Sequence, residues 1–190
     1  MNKITQRLLV FFIGVPLVVC IALIKFQNHL FLHFLIIVVS YLSALELNTI
    51  FSKKIAVQPK LLTGILTASV PTTGLFVSIF NLSNDWYYLT LTMSIMVALS
   101  YEIFSKDNTE NFTSIIFRYF STVFSLIYIS FFISFISRLT VLEYSPIYIA
   151  TFLLMVFGCD SIAWLFGITM GKNNRGLIKI SPDKSVAGFI

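Results

Sequence analysis

Residues 147–190 read IYIATFLLMVFGCDSIAWLFGITMGKNNRGLIKISPDKSVAGFI, an apolar run long enough to cross a bilayer, interrupted by Asp160 and ending in a segment rich in Gly, Lys and Ser. A charge at the centre of such a run costs roughly 2.5–3.5 kcal/mol on insertion scales, so it is kept where it has a partner or a task. At about 100° per residue, Gly167 and Gly171 each fall within about 20° of Asp160 on one helix face. Ala163, Gly167 and Gly171 also recur at a regular four-residue interval. Such a stripe lets another helix pack beside the acid, or leaves a groove for a ligand, and either arrangement screens the carboxylate from lipid. The same pattern also fits an aspartate that only joins helices during assembly.

The rest of the chain has the same character. Of its 190 residues 57% are hydrophobic and 11% charged, with a mean hydropathy of +0.91, which excludes a soluble globular domain. The charge-poor runs predict an all-α polytopic membrane bundle of about six transmembrane helices, at 8–25, 30–50, 61–80, 86–104, 114–136 and 147–170. Residues 1–190 then form a single integral-membrane domain, with 171–190 as a basic segment outside the bilayer. The first run lacks a small-x-small site at its end, where Leu23, Ile24, Lys25 and Phe26 stand, so it reads as a retained span rather than a cleaved signal. Cys20 and Cys159 both fall inside spans without C-x-x-C or histidine spacing, and read as small packing residues rather than disulfide or zinc ligands. No internal repeat supports an inverted-repeat transporter.

Basic residues set the orientation. With a cytoplasmic N-terminus, all but Lys25 and Arg138 of the 13 Lys and Arg residues fall on the cytosolic side, so both termini are expected in the cytoplasm and the protein in the cell inner (plasma) membrane. The net charge of +5 then reflects topology and anionic head groups and calls for no nucleic acid. Glu46 is expected about two turns from the cytosolic end of its span, Arg118 to snorkel to phosphate head groups, and Trp86, Tyr87 and Tyr88 to form an interfacial anchor. Gly64, Pro71 and Gly74 mark a helix that neighbours approach closely.

The pattern D-S-x-A-W-x-x-G-x-x-x-G-K from Asp160 to Lys172, followed by I-S-P-x-K-S-x-x-G-F from Ile180 to Phe189, resembles the middle section of the CTP:phosphatidate cytidylyltransferases, which make CDP-diacylglycerol. The A-L-E ending at Glu46 and the R-L-L beginning at Arg7 resemble the family's N-terminal pattern. The resemblance implies transfer of CMP from CTP to phosphatidate with Mg²⁺ and release of pyrophosphate. It implies that Asp160 holds the metal and acts in catalysis with Lys184, while Lys172, Ser181, Ser185 and Gly188 bind substrate. The chain departs from the family at Trp164, where Tyr is usual, and at Val186-Ala187. The family's further signature, of the form S-x-x-K-R-x-x-x-x-K-D and then P-G-H-G-G-x-x-D-R-x-D, has no counterpart before Ile190. That departure predicts the N-terminal part of a truncated or split enzyme, inactive alone and working with a second polypeptide or as a homodimer among membrane lipids. The rival readings are a non-catalytic membrane subunit or scaffold, in which Asp160 pairs with a partner helix, and a transporter component in which Asp160 moves protons or cations.

Overall fold

The computed structural model describes residues 10–105 and 111–170, and among them every regular element is helical. A π-helical turn, Val10–Gly14, leads into α1 (Val15–Leu23); it is followed by α2 (Leu30–Phe51), α3 (Lys60–Phe80) and α4 (Asp85–Phe104). The next span is built in three pieces, α5 (Phe112–Ser125), a π-helical segment (Leu126–Phe131) and α6 (Phe132–Leu139), and α7 runs from Ser145 to Thr169. Five of these stretches are long and apolar enough to cross a membrane: Leu30–Phe51, Lys60–Phe80, Asp85–Phe104, Phe112–Leu139 and Ser145–Gly167. The apolar helix Phe12–Leu23 is shorter. The chain forms two compact units, Met1–Leu23 with Ile147–Ile190, and Ile24–Pro146.

In the Ile24–Pro146 unit α3 is the central helix, touching α2, α4, α5, α6 and the π segment. Small residues allow this. A methyl group at Gly74 would lie 2.8 Å from Ser137 Cβ, and one at Gly64 would lie 2.6 Å from Cε2 of the Tyr41 ring. Apolar contacts gather around Leu66, Ala98 and Leu126, and around Val70, Val77 and Tyr87. Most large apolar side chains, such as Phe34, Leu61 and Ile103, face outward as a lipid-facing surface requires.

Much of the interior is hydroxylic. Pro71 has no N–H to give to the carbonyl of Thr67, four residues earlier, which would leave that oxygen unpaired inside the bundle. Ser40 of α2 donates its hydroxyl to it at 3.1 Å, and Ser130 of the π segment donates a second hydroxyl to the same oxygen. One proline thus draws α2 and the π segment onto α3.

At the opposite end from the α2–α3 connection, Gln27, Asn28 and His29 take left-handed backbone conformations, with φ of 42°, 54° and 63°. Non-glycine residues seldom adopt this conformation in succession. Here Asn28 donates from Nδ2 to the Ser78 carbonyl at 2.7 Å, and the Ser78 hydroxyl donates back to the Asn28 carbonyl at 3.3 Å. His29 Nε2 pairs with Ser145 Oγ at 2.9 Å and His33 Nε2 with Thr140 Oγ1 at 3.1 Å, both buried.

The aromatic anchor requires a correction. Trp86 and Tyr88 are exposed, but Tyr87 is buried because positions 87, 91, 94, 98 and 102 form the stripe by which α4 faces the bundle. Arg138 lies against this corner, its guanidinium carbon 4.8 Å from the Tyr87 and Phe135 ring centres and 5.1 Å from that of Tyr88.

Candidate functional site

Two carboxylates of the described spans, Glu102 and Asp160, stand in contrasting settings. In the Ile24–Pro146 unit, Glu102 at the end of α4 and Arg118 on α5 form a buried ion pair. Arg118 donates from Nε to Glu102 Oε2 at 3.0 Å, and its Nη2 lies 3.0 Å from the same oxygen. The other carboxylate oxygen, Oε1, accepts from Gln58 Nε2 at 2.7 Å, and the same Gln58 amide donates to the Ala98 carbonyl at 2.9 Å. Asn48 of α2 donates to the Gln58 backbone carbonyl at 3.0 Å and to Thr63 Oγ1 at 3.2 Å, and Thr63 lies 3.3 Å from Thr122 Oγ1. Four helices and the α2–α3 connection are therefore clamped at one end of the unit.

This corrects the expectation for Arg118, which is buried against a carboxylate rather than snorkelling to lipid. A guanidinium that reaches a carboxylate inside the bundle gains a charge-assisted bond without exposing its stem. The signal was present in the sequence. Arg118, Ser121, Thr122 and Ser125 share one helical face, all buried, and Glu102 continues the α4 stripe that begins at Tyr87. Glu46, by contrast, is exposed in an open, mostly apolar groove between α2 and the π segment, near Ser43 and Tyr128.

The second setting is α7. Its buried residues, Ser145, Ile149 and Leu153, repeat at one-turn spacing along its first half, and beyond Leu153 none of the described residues is buried. Asp160 is exposed, as is Cys159 beside it, while Ala163 and Gly167 are half-buried. Among the described residues Asp160 has neither a hydrogen-bond nor an ion-pair partner. Lys172, Ser181, Lys184, Ser185 and Gly188 lie outside the described residues, as does Gly171. Among the described residues no three His, Cys, Asp or Glu side chains are grouped to hold a metal. Mg²⁺, however, is commonly held by one or two carboxylates together with water and substrate phosphates. An exposed aspartate with no partner among the described residues is a suitable donor of that kind.

The fold and these side chains define a helical protein with several membrane-spanning-length segments, an internally paired polar bundle and an acid on a further apolar helix that has no partner among the described residues. The chain belongs to the cytidylyltransferase family, whose family model matches residues 5–190, and that match supports the phosphatidate cytidylyltransferases as its family. No curated protein and no solved structure matches the chain.

Proposed function

We propose that the protein transfers CMP from CTP to phosphatidate, giving CDP-diacylglycerol and pyrophosphate. The observation that carries this reading is the family match through residues 160–190, the stretch that contains D-S-x-A-W, G-K and S-P-x-K-S in order. An oxygen of the phosphatidate phosphate attacks the α-phosphorus of CTP. A new P–O bond forms there as the bond to the β-phosphate bridging oxygen breaks, and pyrophosphate leaves. Little covalent work falls to the protein, whose task is to position phosphates and offset charge that spreads over their oxygens.

Asp160 is the residue of this chain that would hold Mg²⁺. When bound, the metal supplies electrostatic stabilisation of phosphoryl oxygens. Lys184 would offset the developing charge on the transferred phosphate and Lys172 would bind further phosphate oxygens. Ser181 and Ser185 donate hydroxyl hydrogens to the same groups, and Gly188 lets the backbone approach closely. The distribution of Lys and Arg supports both termini and this segment facing the cytoplasm, where CTP is found, in a multi-pass protein of the plasma membrane.

The test uses membranes that carry residues 1–190 together with the family's K-D and G-H-G-G signature, in the same polypeptide or a second one, since these residues do not contain it. With radiolabelled CTP, phosphatidate and Mg²⁺, CDP-diacylglycerol and pyrophosphate are expected in equal amounts. Absence of both CTP binding and pyrophosphate release in such membranes rejects the reading.

A further inference from the structure

The connection between α2 and α3, Ser52–Pro59, is pinned at both ends. At its start the Ser52, Lys54 and Ile55 amides donate to the carbonyls of Asn48, Phe51 and Phe51, each at 2.9 Å, and Lys53 N donates to Ile50 O at 3.3 Å. At its finish Gln58, only 1% exposed, is held through its backbone carbonyl by Asn48 and through its side chain by Ala98 and Glu102. The connection is thus a shaped surface rather than a loose strand.

Its free groups are cations. Lys53, Lys54 and Lys60 are exposed and have no ion-pair partner among the described residues. Glu102, the carboxylate built into this end of the unit, is buried and its oxygens are taken by Arg118 and Gln58, so it leaves the lysines unneutralised. Glu46 lies seven residues before Lys53, about 10 Å away along the helix rise. The lysines also border exposed apolar side chains, Ile50 on one helix and Leu61 on the next, at 52% and 63% exposure. Cations placed where lipid-facing apolar surface ends are at head-group depth.

We propose that Lys53, Lys54 and Lys60 form a docking surface for the phosphate head groups of anionic phospholipids, held in shape by the Gln58–Glu102–Arg118 clamp. Charge complementarity selects the partner, and the apolar border selects a lipid over a soluble phosphate. The surface does not depend on cytidylyl transfer, so the two proposals fail separately.

The experiment purifies the full chain in mild detergent from membranes of phosphatidylcholine mixed with phosphatidylglycerol and measures the bound lipids by native mass spectrometry. Phosphatidylglycerol is expected to be enriched over phosphatidylcholine, and the Lys53→Ala/Lys54→Ala/Lys60→Ala variant to lose that enrichment by roughly fivefold per lysine removed. The corresponding Lys→Arg variant keeps the enrichment, and Gln58→Ala, which frees the connection while leaving every lysine, lowers it. Unchanged enrichment in the triple alanine variant overturns the proposal. Displacement of the bound lipid by inorganic phosphate overturns it too, because it reveals a site for soluble anions. Unchanged enrichment in Gln58→Ala overturns the clamp's part in it. Protein that enriches phosphatidylglycerol but forms no CDP-diacylglycerol with the signature supplied rejects the enzymatic reading alone.

Discussion

Glu102 and Asp160 are both carboxylates on apolar helices, yet their surroundings are opposite. Glu102 is buried and accepts a hydrogen bond on each oxygen, from Gln58 and from Arg118, with the Arg118 guanidinium as its ion-pair partner, whereas Asp160 is exposed and partnerless among the described residues. The contrast teaches how to separate structural from chemical acids in a membrane bundle. A carboxylate whose lone pairs are consumed by the fold has no capacity left for a ligand. A carboxylate that the fold leaves unpaired in apolar surroundings is costly until something else binds it.

The sharpest way to break this comparison is to strand the first acid. Arg118→Met leaves the Glu102 charge buried without its counter-ion, and a loss of about 3–5 kcal/mol is expected in detergent unfolding. Converting Glu102 to Leu in the same protein should restore most of that loss, since a buried pair contributes little net stability over an apolar replacement. If Arg118→Met unfolds like the parent, the clamp is not a structural element. Asp160→Asn should do the reverse, with stability no lower than the parent's, since an unpaired charge is removed, and CDP-diacylglycerol formation down by on the order of 100-fold, the scale of removing one charge-stabilising group. Parental turnover would return Asp160 to an assembly role.

Three smaller effects test the packing of the Ile24–Pro146 unit. Gly74→Ala is expected to cost about 1–3 kcal/mol, because the added methyl meets Ser137 Cβ, an atom near the backbone that cannot swing away. Gly64→Ala should cost less, since its clash is with the Tyr41 ring, which can rotate. Ser40→Ala should cost about 1 kcal/mol by removing one donor to the Thr67 carbonyl. In a Pro71→Ala background, where a backbone N–H is again available to that carbonyl, the Ser40 effect should shrink. Thermal unfolding of the single and double variants measures that coupling, and additive losses would show that Pro71 does not govern the seam.

The helical framework was legible in the sequence, and for a simple reason. Outside water every backbone polar group must be satisfied within its own segment, so apolar runs bounded by charges mark helices to within a few residues. Gly64 and Gly74 were also legible as points of close approach, because an absent side chain is visible without knowing the neighbour. The partners of Arg118 and Tyr87 were not. Their positions near span ends matched the general habit of interfacial residues, and only the helical stripes they share with Ser121, Thr122, Ser94 and Ala98 pointed inward. The hydroxyls serving Thr67 are not legible in the sequence because they come from residues 27 positions before and 63 after it.

For the candidate site, sequence pattern supplied the family and the residues from Asp160 to Gly188, because short-range spacing of Asp, Gly, Lys and Ser is itself what is read. Tertiary structure decided which acid is spent on the fold and which has no partner among the described residues. That distinction depends on side chains brought together from distant spans, Gln58 to Glu102 across 44 residues and Arg118 to Glu102 across 16. Hydropathy along one chain places each helix in an apolar medium, but it assigns no partner to a charge. Packing does that, since the energy of a buried carboxylate is set by the donors within about 3 Å of its oxygens.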